Sequence, residues 1–150
     1  MNCPKWFKCV ACVIVCNSQN EIFLGKRPKG VKEQGKWGIS GGVGDFGVSQ
    51  SREDFALREL LYDLNIKIDP VKLFFFKTIV YGDRKFLQIE DIFYYEEDGP
   101  ISVSGRRRVP VEGQWFSAGE IKKMYKRGEI AFDNFEIIIE FLKTRDRLGS

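Results

Sequence analysis

Two carboxylates in the middle of the chain have the type and the spacing that metal chemistry requires. Glu59 and Asp63 stand four residues apart in REDFALRELLYDLNI, where apolar and charged residues fall on opposite sides of a helical wheel. Residues four apart on a helix are neighbours, so the two acids repel each other. A hard cation such as Mg²⁺ would offset this repulsion and would borrow phosphate oxygens from a substrate. The alternative is a solvated polar face that holds two acids by chance.

A glycine-rich segment precedes this helix, and its backbone has chemistry of its own. The glycines stand at Gly41, Gly42, Gly44 and Gly47. They predict a loop whose N–H groups can approach an anion closely. Ser51 followed by Asp54 indicates a helix start. Asn65 indicates the helix end, because Asn tolerates the left-handed backbone conformation nearly as well as Gly.

Composition narrows the classes of function. The chain has 150 residues, of which 43% are hydrophobic, and this predicts one domain over residues 1–150. The sequence contains no histidine. This absence excludes Ser-His-Asp triads, Cys-His dyads and His-ligated metals, so carboxylates, lysine, tyrosine or water must do any acid–base work. A net charge of +3 allows a small anionic substrate but does not favour nucleic acid. No apolar run is long enough to span a membrane, and no signal-peptide pattern is present, so we expect a cytoplasmic protein without a membrane partner.

The cysteines near the N-terminus are interpreted as structural. Cys9 and Cys12 have the CxxC spacing of zinc and redox sites. They lie in FKCVACVIVC, a valine-rich run that predicts a strand, and residues three apart in a strand point to opposite faces. We therefore expect buried thiols in a reducing compartment.

The remaining pattern predicts alternating strands and helices. The predicted strands are 7–16, 21–26, 71–81, 85–95 and 114–117. Ser117 with Glu120 predicts a capping box for a helix to about Lys126. Apolar residues at i, i+3, i+4 and i+7 from Phe135 predict an amphipathic last helix. The order β-β-β-helix-β-β-β-helix-helix predicts an α/β protein with a mixed sheet between helices.

Two further residue groups are candidates for a binding site. Arg27 lies in a basic loop after the second strand, where it could face a phosphate or simply be solvated. Within the strand 85–95, Glu90 and Asp91 point to opposite faces. One of these two acids is therefore expected to point into a pocket that is otherwise lined by aromatic residues.

The stretch from Gly44 to Ile66 resembles the Nudix box, with the family pattern G-x5-E-x7-R-E-U-x-E-E-x-G-U, where U is aliphatic. The matching residues are Gly44, Arg58, Glu59, Leu60 and Ile66. Asp63 stands in the last glutamate position, and Asn65 stands for the glycine. Gln50 and Tyr62 replace the other two glutamates. The flanking segments extend the resemblance over roughly residues 7 to 145, which implies the α/β/α sandwich of the Nudix hydrolases.

The resemblance implies specific roles and a chemistry. Glu59 and Asp63 would be ligands of Mg²⁺ or Mn²⁺, with Gly42 near the substrate. Arg58 would anchor the helix to the loop, where only the neutral Gln50 is present as its partner. Nudix enzymes often take an extra acid from outside the box, for which Glu90, Asp91 and Glu112 are the candidates.

The function implied by the resemblance is Mg²⁺-dependent cleavage of a pyrophosphate bond in a nucleoside diphosphate linked to another group. Such a small-molecule nucleoside diphosphate derivative is the expected ligand, and a homodimer is left open. Because Gln50 and Tyr62 replace box glutamates, the alternative is a Nudix-fold nucleotide-binding or regulatory module that has lost catalysis. A weaker alternative is an enzyme resembling isopentenyl-diphosphate isomerase, which shares the fold.

Overall fold

Valine-rich and aromatic runs form strands in this protein, and the amphipathic runs between them form helices. The structure, a computed structural model, describes residues 7–44, 51–82, 85–101, 112–132 and 134–149. Its elements in chain order are β1 (Phe7–Cys16), β2 (Ile22–Lys26), β3 (Trp37–Gly38), β4 (Ser40–Gly44), α1 (Arg52–Leu64), a 3-10 turn (Pro70–Lys72), β5 (Phe74–Gly82), β6 (Leu87–Glu96), β7 (Gly113–Phe116), α2 (Ala118–Lys126) and α3 (Asn134–Gly149).

Strand β1 is the centre of the sheet, which is mixed as the sequence predicts. It pairs in parallel with β6 from Phe7↔Leu87 to Cys16↔Glu96, and it pairs antiparallel with both β2 and β4. The hairpin of β5 and β6 makes β5 the edge strand, while β3 and β7 join β2. The parallel β1–β6 pairing places residues about 80 positions apart side by side.

Helices cover both faces of this sheet, which confirms the predicted α/β/α sandwich. On β1, Ala11, Val13 and Val15 belong to a core cluster that includes Phe55 and Leu60 of α1. The alternate residues of β1 face a second cluster built from α2 and α3. That cluster contains Cys12, Ile14, Cys16, Ile121, Met124, Ile138 and Phe141.

The predicted helix ends are confirmed by their backbone and side-chain geometry. Ser51 caps α1 by accepting the Asp54 N–H at 3.1 Å, and Asn65 ends it with a left-handed φ of 54°. Ser117 and Glu120 form the reciprocal capping box of α2. Helix α1 therefore runs without interruption from Arg52 to Leu64. Glu59 and Asp63 lie on adjacent turns of this helix, on the same side.

Two sequence-based expectations are wrong. Gly41, Gly42 and Gly44 do not form a loop but lie in strand β4, so four strands rather than three precede α1. At Gly41 and Gly42 the lack of a side chain allows Cys12 and Glu59 to approach the strand closely. A run of glycines also has no apolar pattern that would predict a strand. The predicted strand at Val71 starts only at Phe74, because Asp69 accepts the Val71 N–H and begins a 3-10 turn with Pro70.

In the described ranges, no helix is both long and apolar enough to cross a membrane.

Candidate functional site

The candidate site begins at the paired glycines of β4, which stand directly opposite β1. Gly41 pairs with Cys12 and Gly42 pairs with Ala11. A Cβ atom at position 41 would lie 2.6 Å from the Cys12 Sγ, and one at position 42 would lie 2.6 Å from the Glu59 Oε2. Both distances are shorter than real Cβ contacts. At position 41 the Ala11 carbonyl at 3.0 Å also blocks a side chain, whereas at position 42 the space is filled by the end of the Glu59 side chain.

The two acids of α1 are both placed against this strand. Glu59 is buried, with 6% of its surface exposed, and its carboxylate lies over Gly42. The Asp63 Oδ2 accepts the Gly41 N–H at 3.1 Å and the Ser40 hydroxyl at 3.2 Å. The helix is thus fixed to the glycine strand through the side chains that the sequence pairs for metal binding.

A third acid, Glu90 of β6, contacts Cys12 of β1. The Cys12 thiol donates a hydrogen bond to the Glu90 Oε1 at 3.1 Å. Burial and the neighbouring Glu90 carboxylate raise the pKa of the Cys12 thiol well above its ordinary value, and the charges of Asp63 and Glu59 add to this shift. Glu90 contacts the Cys12 thiol directly, whereas Glu59 and Asp63 act on it through their charge from α1, on the other face of the sheet. We call these four residues the acid cluster.

The donor chemistry of the acid cluster fits a hard divalent cation. In the described part of the chain, no three His, Cys, Asp or Glu side chains are arranged as a set that could hold a metal ion. Mg²⁺ in phosphate sites commonly uses only one or two carboxylates and completes its octahedron with water and substrate oxygens. Glu59 and Asp63 are carboxylates of this kind, on adjacent turns of one helix and fixed to the same strand.

Asp91, the neighbour of Glu90, lies on the opposite face of the sheet, under α1. Only 1% of Asp91 is exposed. Its Oδ1 accepts the Thr78 hydroxyl at 2.6 Å and the Arg52 Nη1 at 3.1 Å, while its buried Oδ2 has no hydrogen-bond partner among the described residues. Asp91 therefore joins the first turn of α1 to the sheet and does not belong to the acid cluster.

The guanidinium groups of the two arginines predicted for the site each lie over an aromatic ring. The Arg58 guanidinium lies 4.9 Å from the centroid of the Phe55 ring, and its buried Nε has no hydrogen-bond partner within the described ranges. Its predicted partner Gln50 lies outside those ranges. The Arg27 guanidinium lies 4.7 Å from the centroid of Phe132, and its Nε donates to the Lys32 carbonyl at 2.5 Å.

Glu112 is placed at the entrance to β7. Its side chain is exposed, and its carbonyl accepts the Lys26 N–H at 2.9 Å. In the described part of the chain, no hydrogen bond or ion pair joins the Glu112 side chain to the acid cluster.

Cys12 and Ser40 are the members of the site that the sequence does not identify. The strand pattern buries Cys12 correctly, but its partner Glu90 is 78 positions away, and only the register of β1 with β6 brings the two together.

Solved structures with the same fold are numerous, although the sequence itself finds no match. No protein-family model matches the chain, and no curated protein matches it significantly. The MutT protein from Methanosarcina mazei Go1 is similar over 96% of this chain and 98% of its own, with a TM-score of 0.70 and 18% identity. A bifunctional NMN adenylyltransferase/ADP ribose pyrophosphatase from Francisella tularensis is similar over 94% of this chain and 42% of its own, with a TM-score of 0.72 and 18% identity.

A third similar structure extends the comparison to a ligand complex. The NUDIX domain of Shewanella oneidensis NrtR, solved in complex with ADP ribose, is similar over 97% of this chain and 90% of its own, with a TM-score of 0.68 and 17% identity. All three likenesses cover nearly the whole of this chain and confirm, at the level of the fold, the resemblance seen in the sequence. The chain has the fold of the MutT/Nudix proteins.

Proposed function

We propose that this protein is a Mg²⁺-dependent hydrolase that cleaves the pyrophosphate bond of a nucleoside diphosphate linked to another group. The observation that carries the proposal is the placement of the two α1 acids of the cluster, Glu59 and Asp63, against the glycine strand β4. Such an arrangement supplies hard oxygen donors beside backbone that is unobstructed by side chains. Diphosphate hydrolysis is the reaction class that combines these requirements.

Within this proposal, Glu59 and Asp63 hold the cation. When bound, Mg²⁺ (or Mn²⁺) neutralises phosphate charge and favours ionisation of a coordinated water. The protein's own contribution is orientation. Ser40 and the Gly41 N–H fix one oxygen of Asp63, and Gly42 leaves room for the Glu59 carboxylate.

Glu90 is the general base that the geometry favours. It is partly exposed, and it accepts a hydrogen bond from the Cys12 thiol. Asp91 is buried and bonded to Arg52 and Thr78, so it cannot reach water as readily. Glu112 shows no described contact with the cluster. Tyr62, which occupies the position of a box glutamate, carries a phenol where the family has a carboxylate, so it supplies no carboxylate base.

Arg27 and Phe132 are the candidate contacts for the rest of the substrate. The guanidinium stacks on a ring that is 49% exposed, which places a positive charge and a flat apolar surface side by side. A cation binds phosphate, and an aromatic surface can stack a planar base. This pair therefore supports a nucleotide rather than an inorganic substrate.

The proposal is tested by incubating the protein with a panel of nucleoside diphosphate derivatives. ADP-ribose is the first compound, because two of the similar structures carry it in their names. Products are separated by chromatography in Mg²⁺, in Mn²⁺ and in excess EDTA. We expect a nucleoside monophosphate to appear with either metal and not with EDTA. Equal product formation in EDTA would contradict the proposed metal dependence.

A second candidate function is nucleotide binding without hydrolysis. Tyr62 favours it because a carboxylate is replaced by a weakly acidic phenol at a box position. Calorimetry with ADP-ribose separates the two functions. Saturable binding without any product over a prolonged incubation would favour the binding module, whereas turnover would favour the hydrolase.

A further inference from the structure

We propose that the surface formed by residues 26–36 and 118–132 binds a single-stranded nucleic acid. We call it the basic surface; it comprises the end of β2, the loop before β3, helix α2 and the segment that follows this helix. The inference is independent of the proposed hydrolysis, since binding needs neither a metal ion nor turnover. It assigns a partner to a part of the molecule that lies outside the acid cluster.

The positive charge of the chain is concentrated on this surface. Its 26 residues carry nine of the 24 lysines and arginines but only three of the 21 acids. The basic surface therefore has a net charge of +6, whereas the remaining residues together carry −3. The total of +3 on its own does not favour nucleic acid, but the fold gathers the cations into the kind of basic patch that a polyanion requires.

Backbone contacts hold the two parts of the basic surface together. The Trp37 N–H donates to the Glu129 carbonyl at 2.8 Å, and the Ala131 N–H donates to the Trp37 carbonyl at 2.7 Å. The Arg27 guanidinium lies over the ring of Phe132. The loop before β3 and the segment after α2 are therefore neighbours, although they are far apart in the sequence.

The three acids of the basic surface are already engaged by other groups. Glu33 pairs with Lys36 at 2.8 Å, and Glu129 pairs with Arg127 at 2.8 Å. Glu120 belongs to the capping box of α2. Four lysines of the surface are exposed and have no ion pair within the described ranges, namely Lys29, Lys32, Lys122 and Lys126.

Two of these four lysines stand close together on α2. Lys122 and Lys126 are four residues apart, so they are neighbours on the exposed side of the helix, while Ile121 and Met124 are buried against the core. Like charges at this spacing repel each other. Phosphates of a polyanion placed beside the two lysines would offset this repulsion.

Two exposed aromatic rings distinguish this surface from one that is merely charged. Tyr125 is 50% exposed, and its ring stacks on Phe135 with centroids 3.9 Å apart and planes at 7°. Phe132 is 49% exposed, and its left-handed φ of 51° is rare for a bulky side chain and costs free energy. Both rings are thus held at the surface among cations. Single-stranded nucleic acids are bound by this combination, because bases stack on aromatic rings while cations contact the phosphates.

The same features distinguish a single strand from other anionic partners. An anionic membrane is entered by a contiguous apolar face, whereas Tyr125 stacks on Phe135 and Phe132 lies under Arg27. An acidic protein would pair with the cations but would give the rings no planar group to stack on. In a duplex the bases stack on one another, so their faces are not available to the rings. A single strand is the partner that uses both the cations and the rings.

The first test measures binding by fluorescence anisotropy, with EDTA present so that no metal-dependent cleavage occurs. The probes are fluorescein-labelled single-stranded RNA and DNA of about 12 nucleotides, and a duplex of the same length. We expect at least one of the single strands to bind, with log Kd rising by about 3 per tenfold increase in salt, because four lysines would contact phosphates. Absence of binding by both single strands at low salt, or equal binding of the duplex, would overturn the proposal.

The second test removes the charge from α2. The double variant Lys122→Ala/Lys126→Ala should bind the single strand about 25-fold more weakly in about 0.1 M salt, and its salt slope should fall by about 1.4, since two phosphate contacts are lost. The matched control Lys67→Ala/Lys72→Ala removes two exposed lysines from outside the basic surface and should bind as wild type. Equal weakening by the two double variants would overturn the proposal, because binding would then depend only on total charge.

The third test removes a ring. Tyr125→Ala should weaken binding about tenfold, because stacking on one base contributes at least this much, and Tyr125→Phe should retain wild-type affinity. Thermal melts show that each variant is folded. Wild-type affinity in folded Tyr125→Ala, or binding of poly-glutamate or of phosphatidylserine vesicles as tight as that of the oligonucleotide, would overturn the proposal. Oligonucleotide binding by a protein that cleaves no compound of the panel would support this inference while contradicting the proposed hydrolysis.

Discussion

The substitution Gly42→Ala tests whether the close approach of Glu59 to β4 matters. Gly42 is not among the glycines with a left-handed backbone, so the substitution adds only a methyl group. That carbon would lie 2.6 Å from the Glu59 Oε2 and 2.8 Å from its Cδ, whereas ordinary contact begins near 3.4 Å. The carboxylate must therefore retreat by about 0.8 Å. Since a misplacement of about 1 Å can cost about 10²-fold in rate, we expect kcat/KM to fall by about 10- to 100-fold.

Stability should change much less than activity in this variant. Only the end of a flexible side chain has to move, so the overpacking cost should lie near the low end of the usual range, about 1 kcal/mol, which lowers Tm by about 2–4 °C. Steady-state kinetics with saturating Mg²⁺ and a thermal melt measure the two effects.

The matched control is Gly25→Ala in β2, where the added carbon would meet Leu64 at 3.8 Å and the Glu112 carbonyl at 4.0 Å. These are ordinary contacts, so this variant should retain wild-type kinetics. If Gly42→Ala also retained wild-type kcat/KM while folded, the position of Glu59 against β4 would not be part of the site.

Three further perturbations test separate parts of the structure. Ser40→Ala removes one of the two donors to Asp63, a loss of about 1 kcal/mol, so a Mg²⁺ titration of activity should show a half-saturation point raised about fivefold; an unchanged titration would exclude this support. Arg52→Ala leaves the buried Asp91 carboxylate without the cation that pairs with it; because Arg52 is half exposed, urea unfolding should show a loss of only about 1–2 kcal/mol, with kcat preserved. Burial raises the pKa of Cys16 to about 12 from its ordinary 9.0, so the native state keeps a proton that the unfolded chain releases. The free energy of unfolding should therefore fall between pH 9 and pH 12 by up to about 1.4 kcal/mol per pH unit, and Cys16→Ala should remove that part of the slope.

The preferences of residues close together in the chain were enough to predict the ends of α1 and the alternation of side chains along the strand 85–95. Ser51 and Asn65 are the caps of α1 because their side-chain and backbone preferences act within one turn of the helix. The alternation along the strand 85–95 correctly separates Glu90 from Asp91. These signals involve residues a few positions apart, so they remain valid without knowledge of the fold.

The rest of the site depends on distant pairings that leave no local signal. Gly41 and Gly42 form a strand because Cys12 and Glu59 occupy the space where their side chains would be, and a run of glycines has no apolar period to reveal it. The alternation also does not say which acid faces the cluster. The parallel register of β1 and β6 assigns Glu90 to Cys12 and directs its neighbour beneath α1.

The proposed activity of the acid cluster is metal-dependent cleavage of a nucleoside diphosphate derivative. The most direct test measures turnover of ADP-ribose and related compounds across a Mg²⁺ titration for the wild-type protein, Glu59→Gln and Glu136→Gln. Glu136 is an exposed residue of α3, so it controls for the loss of one carboxylate. We expect Glu59→Gln to lose Mg²⁺-dependent product release while remaining folded, and Glu136→Gln to behave as wild type. Unchanged turnover in Glu59→Gln would contradict a metal-dependent role for this carboxylate.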